Sequence, residues 1–146
     1  MEKILTFIIN QDKRILLLHN NCEDLSHGGD IWYTVTGAVE NYDNDRKDTV
    51  KREVKEETDI DVNEVIYLNV KLKYVNRNKD CVEYIYASFI DKSNISLNEE
   101  WLEYEWLTFD EFLSKCHWYY EKEILKNILS KALNKELYYD EELELV

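Results

Sequence analysis

The chain has 146 residues, of which 45% are hydrophobic and 13% aromatic, so it can form one domain with a real core, and global disorder is excluded. Its 18 lysine and arginine residues are outnumbered by 31 aspartate and glutamate residues, which gives a net charge of −13. That charge excludes a nucleic acid as the main partner, because a phosphate backbone needs a positive surface, although a divalent cation can reverse the field locally.

The first part of the chain predicts strands separated by polar segments. The apolar runs over residues 4–9 and 14–18 are separated by a short polar stretch, which predicts a β-hairpin. Residues 20–30 are mostly polar and glycine-containing, which predicts a loop. Residues 31–39 are rich in β-forming side chains and predict one further strand.

A polar loop and a helix follow this strand. Residues 40–48 are polar and contain no proline, which is typical of a loop. From residue 49 to residue 59 the pattern becomes helical, because Val50 and Val54 lie four positions apart while charged side chains occupy the other faces. This helix carries the chemistry discussed below.

The middle of the chain predicts two long strands. Residues 62–75 and 82–90 have the β pattern, and the polar residues 76–80 predict the turn between them. Residues 93–105 form a mostly polar, acidic connection. The pair at 106–107, Trp-Leu, predicts a short strand or the approach to a helix.

Two helices and a tail complete the chain. Thr108 and Glu111 have the spacing of a capping box, which predicts the start of a helix. Residues 124–133 place apolar side chains at helical spacing, and the acidic end from about residue 138 to 146 is expected to fray. Since no repeat or linker is visible, we expect a single domain over residues 1–146 with an α/β sandwich built on a mixed sheet.

The cysteines and the N-terminal residues indicate the cellular compartment expected for the protein. Cys22, Cys81 and Cys116 are far apart and odd in number, so they predict neither a disulfide framework nor a zinc site. Buried, reduced thiols in a cytoplasmic protein are the favoured interpretation. Charged residues interrupt the apolar runs at the N-terminus, so we expect no signal peptide, and no apolar run is long enough to predict a membrane segment.

Three glutamates share one face of the predicted helix. On an α-helix, Glu53, Glu56 and Glu57 fall within one arc of roughly 100°. Like charges at this spacing repel, and a hard divalent cation with oxygen ligands removes that cost. Arg52, four residues before Glu56, can compensate part of the charge. A solvated face in a glutamate-rich chain is the alternative, and the acidic pair alone favours that alternative.

The surrounding residues resemble the Nudix hydrolase family, whose box reads G-x5-E-x7-R-E-U-x-E-E-x-G-U, with U an aliphatic residue. Residues 37–40 read G-A-V-E and, after a polar loop, residues 52–60 read R-E-V-K-E-E-T-D-I. The R-E-U-x-E-E core is complete. The resemblance implies a Nudix-type α/β/α sandwich and a Mg²⁺-dependent enzyme that hydrolyses a nucleoside diphosphate-linked substrate.

The chain departs from the family pattern in three ways. The loop acid is Asp43 instead of glutamate, the spacing to Arg52 is one residue longer, and Asp59 replaces the usual glycine. An inserted loop residue costs little. The position of Asp59 closes the helix in a left-handed conformation, which aspartate tolerates better than most residues do.

Further matches are similar to the bacterial branch of dATP and dihydroneopterin triphosphate pyrophosphohydrolases. Residues 32–37, W-Y-T-V-T-G, look like the strand that leads into the box of that branch. Glu100, Tyr104 and the pair 106–107 are similar to its later Glu-His-x-x-Tyr-x-Trp-Leu segment, and Trp118 before a final helix also fits. Together the matching pieces extend from residue 31 to about residue 130.

The resemblance implies the roles of the site residues. The Mg²⁺ ligands, with Mn²⁺ able to substitute, would be the backbone carbonyl of Gly37 and the carboxylates of Glu53, Glu56, Glu57 and Glu100. Glu100 would be a ligand or the general base, and an exposed glutamate beside Glu99 and Glu103 is its alternative interpretation. Arg52 and the loop acid Asp43 would orient the helix.

Substrate contacts follow less directly from the sequence. The aromatic residues that could stack on a base are Trp32, Tyr33, Tyr74 and Tyr84, although core or sheet-surface positions are the favoured interpretation for each. The basic residues considered for phosphate contact are Lys71, Lys73 and Arg14, which are ordinarily solvated. The histidines His19, His27 and His117 show no ligand spacing, and we interpret them as incidental.

Several functions remain open within this family. The leading hypothesis is hydrolysis of a (deoxy)nucleoside triphosphate to the monophosphate and pyrophosphate. The alternatives are a dinucleoside polyphosphate or nucleotide-sugar hydrolase, or a non-catalytic nucleotide-binding regulatory domain. We expect a small-molecule nucleotide as the partner, no nucleic acid and no membrane. The edge strands and the aromatic-rich C-terminal helices are compatible with a homodimer.

Overall fold

A computed structural model describes residues 1–21, 30–91 and 94–144. The strands are β1 (Glu2–Ile9), β2 (Ile15–Asn21), β3 (Asp30–Tyr33), β4 (Val35–Ala38), β5 (Glu64–Asn76), β6 (Lys79–Phe89), β7 (Glu103–Leu107) and β8 (Glu141–Glu144). The helices are α1 (Arg46–Thr58), α2 (Phe109–Lys115) and α3 (Lys122–Asn134).

The strands form one mixed sheet of eight strands. Its main order is β3-β2-β1-β6-β5-β8, with β4 paired to β1 and β7 paired to β2. The pairs β1–β6 and β5–β8 are parallel, whereas the other pairs are antiparallel. Helix α1 packs on β1 and β4, and α3 packs on β1 and β6. The fold is therefore the expected α/β/α sandwich with a mixed sheet.

The N-terminal hairpin is confirmed, and the strand predicted after it is divided. Strands β1 and β2 pair around the turn, with Ile9 opposite Ile15. The single strand expected over residues 31–39 becomes β3, which pairs with β2, and β4, which pairs with β1. Thr34, between them, is buried, and its hydroxyl donates to the Thr6 carbonyl oxygen at 2.5 Å. The chain changes partner strand at this residue.

Part of the loop predicted over residues 20–30 lies outside the described residues. Residues 22–29, which include Cys22 and His27, belong to that part. Of the other cysteines, Cys81 and Cys116 are buried free thiols, as the sequence suggested. Among the described residues, no helix is both long and apolar enough to cross a membrane.

Helix α1 begins three residues earlier than predicted, within the segment expected to be a loop. The side chain of Asp45 accepts a hydrogen bond from the Asp48 backbone N–H at 2.8 Å, and this N-cap starts the helix at Arg46. At the other end, Asp59 has φ 60° and ψ 26°, the left-handed conformation expected there. Its N–H closes the last turn on the Lys55 carbonyl at 3.0 Å.

The strands β5 and β6 form a long hairpin with a tighter turn than the polar stretch suggested. Arg77 and Asn78 both have positive φ, which is typical of a two-residue turn that matches the twist of the strands. A register shift interrupts the pairing between Tyr67 and Lys71, with Asn69 at φ 59°. This irregularity is a β-bulge.

The tail expected to fray from about residue 138 instead docks on the sheet over most of its described length. The Tyr138 N–H donates to the Leu68 carbonyl at the bulge, at 2.9 Å. Strand β8 then pairs in parallel with β5, with Leu72 opposite Leu143. Backbone hydrogen bonds order this acidic segment because the outer edge of β5 is available to pair with it.

The two faces of the sheet carry different elements. In the register of β1 and β4, Ile4 lies opposite Gly37, and the Gly37 backbone approaches α1. Phe7, an odd number of residues further along β1, therefore points to the other face, where its ring meets Phe112 of α2 edge-on at 5.9 Å. Both faces are covered, which is why β1 is almost entirely buried.

Candidate active site

Arg52 ties the loop before α1 to the helix itself. Its guanidinium makes two hydrogen bonds with the Asp43 carboxylate, both at 3.0 Å, and a third with the Ala38 carbonyl at 3.2 Å. Asp43 also accepts from the Glu40 N–H and the Thr49 hydroxyl. The shorter acid and the longer loop therefore still allow a bidentate pair of the strong, charge-assisted kind.

The same guanidinium reaches two of the glutamates on α1. Arg52 Nη1 lies 3.0 Å from Glu53 Oε1 and 3.4 Å from Glu56 Oε1. The compensation of Glu56 that the spacing predicted is thus present, and Glu53 shares it. One arginine side chain therefore contacts two carboxylates and, through Asp43, the loop before α1.

Gly37 is required by the close approach of Glu53 to strand β4. A methyl group placed on the Gly37 Cα would lie 2.3 Å from Glu53 Cδ and 2.5 Å from Glu53 Oε1. Real side chains do not tolerate such distances, so any larger residue would displace this carboxylate. The glycine leaves its backbone open beside the acid.

Glu57 is the most deeply buried of the three helix glutamates, with 3% of its surface exposed. Its Oε1 accepts a hydrogen bond of 2.6 Å from the indole Nε1 of Trp101. The backbone before Trp101 is fixed to the end of α1, because Asn98 N–H donates to the Glu57 carbonyl and Ser96 N–H donates to the Thr58 carbonyl. These bonds hold residues 96–101 against the helix.

Glu100 thereby joins the three helix glutamates in one group, the acid cluster (Glu53, Glu56, Glu57 and Glu100). Burial, and then the negative charge of Glu100, raise the pKa of Glu57 to about 9. Burial also raises the pKa of Glu53, and desolvation together with the charges of Glu53 and Glu56 raises that of Glu100. Glu103, the alternative acid on this segment, pairs with His19, so Glu100 rather than Glu103 belongs to the acid cluster.

The chemistry of the acid cluster fits a hard divalent cation. Beyond the effect of burial, the negative charge of Glu100 raises the pKa of Glu57, and the charges of Glu53 and Glu56 raise that of Glu100, so a cation with oxygen ligands would offset this repulsion. Within the described residues, however, no three His, Cys, Asp or Glu side chains are arranged as a ready metal site. Arg52 and Trp101 already engage the carboxylates of Glu53 and Glu57.

A cavity of about 450 Å³ opens next to the acid cluster. Glu100 and Trp101 line one part of it, and the buried Glu83 of β6 lines another. Its aromatic lining consists of Tyr33, Tyr74, Trp101, Tyr119 and Tyr120. A concave, aromatic-rich volume of this size with a few polar groups is typical of a small-molecule site.

Of the aromatic residues that could stack on a base, Tyr33 lines this cavity and Trp32 does not. Trp32 stacks on His19 with 4.4 Å between ring centroids, and the Lys115 ammonium lies 3.9 Å from the Trp32 ring centroid. Neighbouring residues of a strand point to opposite faces, which separates the two aromatics. Tyr74 also lines the cavity, whereas Tyr84 is covered by Arg46.

The basic residues considered for phosphate contact have acidic partners elsewhere. Lys71 and Lys73 pair with Glu142 of β8, and Arg14 lies 3.7 Å from Glu111. His19 lies between Asp30 and Glu103 and joins β2 to its neighbours.

Sequence reasoning missed two residues that the structure brings to this region. The first is Trp101, whose hydrogen bond to Glu57 was not predicted from the sequence. A buried tryptophan needs a hydrogen-bond acceptor, and Trp101 directly follows the predicted site residue Glu100. Glu83 interrupts an otherwise apolar and aromatic strand, and that interruption was a signal that could have been read.

Comparison with known proteins gives a family match and a common fold. The family model described as NUDIX domain matches residues 2–128. No curated protein matches the chain. The structural comparisons, in contrast, return many solved structures.

Three solved structures illustrate the similarity in fold. A MutT protein from Methanosarcina mazei shares 20% identity, with 92% of this chain and 94% of that one covered and a TM-score of 0.68. The E. coli dihydroneopterin triphosphate pyrophosphohydrolase shares 22% identity over 89% and 95%, with a TM-score of 0.70. The NUDIX domain of Shewanella oneidensis NrtR, in complex with ADP ribose, shares 13% identity over 91% and 88%, also at 0.70. At identities this low, the structural similarity establishes the common fold alone.

Proposed function

We propose a function on the premise that the chain belongs to the NUDIX family of hydrolases, which act on nucleoside diphosphate-linked substrates. The proposed reaction converts a (deoxy)nucleoside triphosphate to the monophosphate and pyrophosphate with Mg²⁺. The observation that carries the proposal is the position of Glu100 and Trp101. Glu100 is a member of the acid cluster and Trp101 binds Glu57, and both also line the adjacent cavity. Phosphate chemistry and substrate binding would therefore meet at these two residues.

The acid cluster would hold the cation. Glu53, Glu56 and Glu57 offer carboxylate oxygens, and the Gly37 backbone carbonyl would be a further ligand. When bound, Mg²⁺ supplies the positive charge that offsets the phosphate oxygens and makes water more acidic. In a chain with a net charge of −13, this local reversal of charge is what allows an anionic substrate to approach.

We assign Glu100 the task of accepting the proton from the attacking water. It is the exposed member of the acid cluster that lines the cavity, and its raised pKa makes it a stronger base than an ordinary glutamate. Trp101 acts as a positioning residue, because its indole fixes Glu57. The backbone N–H groups of Ser96 and Asn98 hold the segment that carries Glu100 next to α1. Arg52, anchored by Asp43, positions Glu53 and Glu56.

Tyr33 is proposed to contact the base of the substrate. It is almost fully buried, and its ring lies 5.4 Å from that of Tyr119 in an edge-on arrangement within the cavity. Aromatic faces stack on any base, which contributes about 1–3 kcal/mol per base. Trp32 has no such position and is better explained by its stacking on His19.

The location and assembly remain proposals. We propose a cytoplasmic protein, since Cys81 and Cys116 are unpaired. The edge strands β3 and β8 are compatible with a homodimer, which light scattering of the purified protein would test directly.

A substrate panel tests the proposed reaction. The protein is incubated with Mg²⁺ and, separately, canonical and oxidised nucleoside triphosphates, dinucleoside polyphosphates, nucleotide sugars and ADP-ribose, and pyrophosphate is separated from phosphate. We expect pyrophosphate from a triphosphate at the highest kcat/KM. If only dinucleoside polyphosphates or nucleotide sugars are hydrolysed, they would replace the triphosphate as the proposed substrate. Binding of a nucleotide without any turnover would indicate a regulatory domain.

A further inference from the structure

Glu83 is a buried carboxyl that the acid cluster does not include. Only 4% of its surface is exposed, although charged side chains are rarely buried without a partner. Among the described residues its carboxylate has one hydrogen bond, from the Tyr74 hydroxyl at 3.3 Å, and no salt bridge. Burial raises its pKa to about 7, against the opposing effects of Lys3 and Tyr74.

The strand register explains how Glu83 faces the cavity. Glu83 lies opposite Lys3 of β1, on the face of the sheet turned away from α1. Tyr74, on β5, and Tyr120 have ring centroids 6.3 Å apart, and both line the cavity with Glu83. The carboxyl therefore lies among aromatic rings in a cavity that extends to Glu100.

A carboxylate in this position has capacity for further hydrogen bonds. Its two oxygens act only as hydrogen-bond acceptors and offer about four lone-pair sites. The long hydrogen bond from Tyr74 uses one of these sites. A buried negative charge is stabilised most by two parallel donors on one rigid ligand edge. A ring N–H next to an exocyclic amino group provides such an edge, as in guanine and other 2-amino-4-oxo rings.

We propose that Glu83 is the specificity-determining residue of the cavity and binds the adjacent ring N–H and amino group of a guanine-type base. This proposal rests on the proposed function and names its substrate class. The base would lie among Tyr33, Tyr74 and Tyr120, with its phosphates directed toward Glu100. Adenine presents an acceptor beside its amino group, so it cannot give two donors to the carboxylate.

Base selectivity of the wild type and of Glu83→Gln tests the proposal. The substrates are dGTP, dITP, which lacks only the amino group, and dATP, each with Mg²⁺. For the wild type we expect kcat/KM to favour dGTP over dITP by roughly 10- to 100-fold, the discrimination of one bidentate pair. In Glu83→Gln the kcat/KM for dGTP should fall by a similar factor, mainly through KM, and the preference over dITP should nearly vanish.

A matched variant and a melting curve separate recognition from folding. Glu64→Gln makes the same chemical change on β5, where Glu64 is exposed and paired with Lys135, and should leave all three substrates unaffected. Glu83→Gln should melt no lower than the wild type, because it removes a buried charge. A merely structural Glu83 would change stability or kcat for every base equally.

Equilibrium binding decides the proposal independently of turnover. Titrations of GMP, IMP and AMP into the wild type and Glu83→Gln should show tightest binding of GMP and loss of that preference in the variant. An unchanged base preference in both measurements, with pyrophosphate still released, would overturn the role of Glu83 alone. Base-selective binding without any hydrolysis would support Glu83 and overturn the proposed function, and an absence of both would overturn both.

Discussion

Single residues set the geometry of the acid cluster, and Gly37 does so by having no side chain. Glu53 approaches its Cα so closely that a methyl group would meet the carboxylate at 2.3 Å. The glycine is therefore explained by a contact between strand and helix. Because the φ of Gly37 lies outside the left-handed region, an alanine would lose little through backbone strain.

Gly37→Ala tests this contact. The added methyl group should displace the Glu53 carboxylate by about 1 Å and lower kcat by roughly 10- to 100-fold, because misplaced catalytic groups lose most of their effect. Steady-state kinetics with Mg²⁺ and a triphosphate measure the loss, and a thermal melt is its control. Wild-type kcat in a folded variant would contradict the contact as described.

The sequence predicts the charged residues of the site better than the residues that hold them. Glu53, Glu56 and Glu57 follow from their spacing on one helix and from the family resemblance. The hydrogen bond from Trp101 to Glu57 joins residues 44 positions apart, and no local pattern encodes that distance. Glu83 likewise acquires its meaning only when β1, β5 and β6 are assembled.

At the scale of elements, the loop between β4 and α1 depends on Asp43. The Arg52 guanidinium, and then hydrogen bonds from Glu40 and Thr49, hold the pKa of Asp43 well below its usual range, although burial opposes them. A group whose pKa is lower in the folded state stabilises the fold above its unfolded pKa, near 3.9. That contribution is lost as the pH falls through the folded pKa.

Asp43→Asn should therefore destabilise the protein in a pH-dependent manner. We expect the free energy of unfolding at pH 7 to fall by about 1–3 kcal/mol, and the difference from the wild type to shrink toward pH 2–3. Urea unfolding at several pH values measures this, with Asp12→Asn in an exposed turn as the control. A difference that grows toward low pH would contradict the assignment.

Local signals predicted most elements but not their partners. Helix α2 begins at the predicted capping box, and β1 and β2 form the predicted hairpin. Residues 31–39 read as one strand because nothing in their pattern records the change of partner at Thr34. Strand β8 was missed because Glu141–Glu144 hold a single apolar residue, and only the free edge of β5 orders them.

At the scale of the whole molecule, the acidic surface and the acid cluster are two different places where a cation can bind. A net charge of −13 attracts any cation weakly, whereas the acid cluster would bind a divalent ion at one place. Binding to the folded state alone raises its stability by mass action.

Melting in Mg²⁺ distinguishes the two effects. At about ten times Kd, Mg²⁺ should raise Tm by roughly 3–6 °C above NaCl of equal ionic strength. The double variant Glu53→Gln and Glu57→Gln should lose this difference. An equal rise in NaCl, or an undiminished rise in the variant, would show that the ion binds elsewhere.

The measurement closest to the central claim is Mg²⁺-dependent pyrophosphate release from a nucleoside triphosphate by the wild type and by Glu57→Gln. Glutamine keeps an oxygen acceptor for Trp101, so the fold should stay intact while kcat falls by roughly 10²- to 10⁴-fold, and Glu64→Gln should match the wild type. If Glu57→Gln retains wild-type kcat, the acid cluster is not the centre of the reaction.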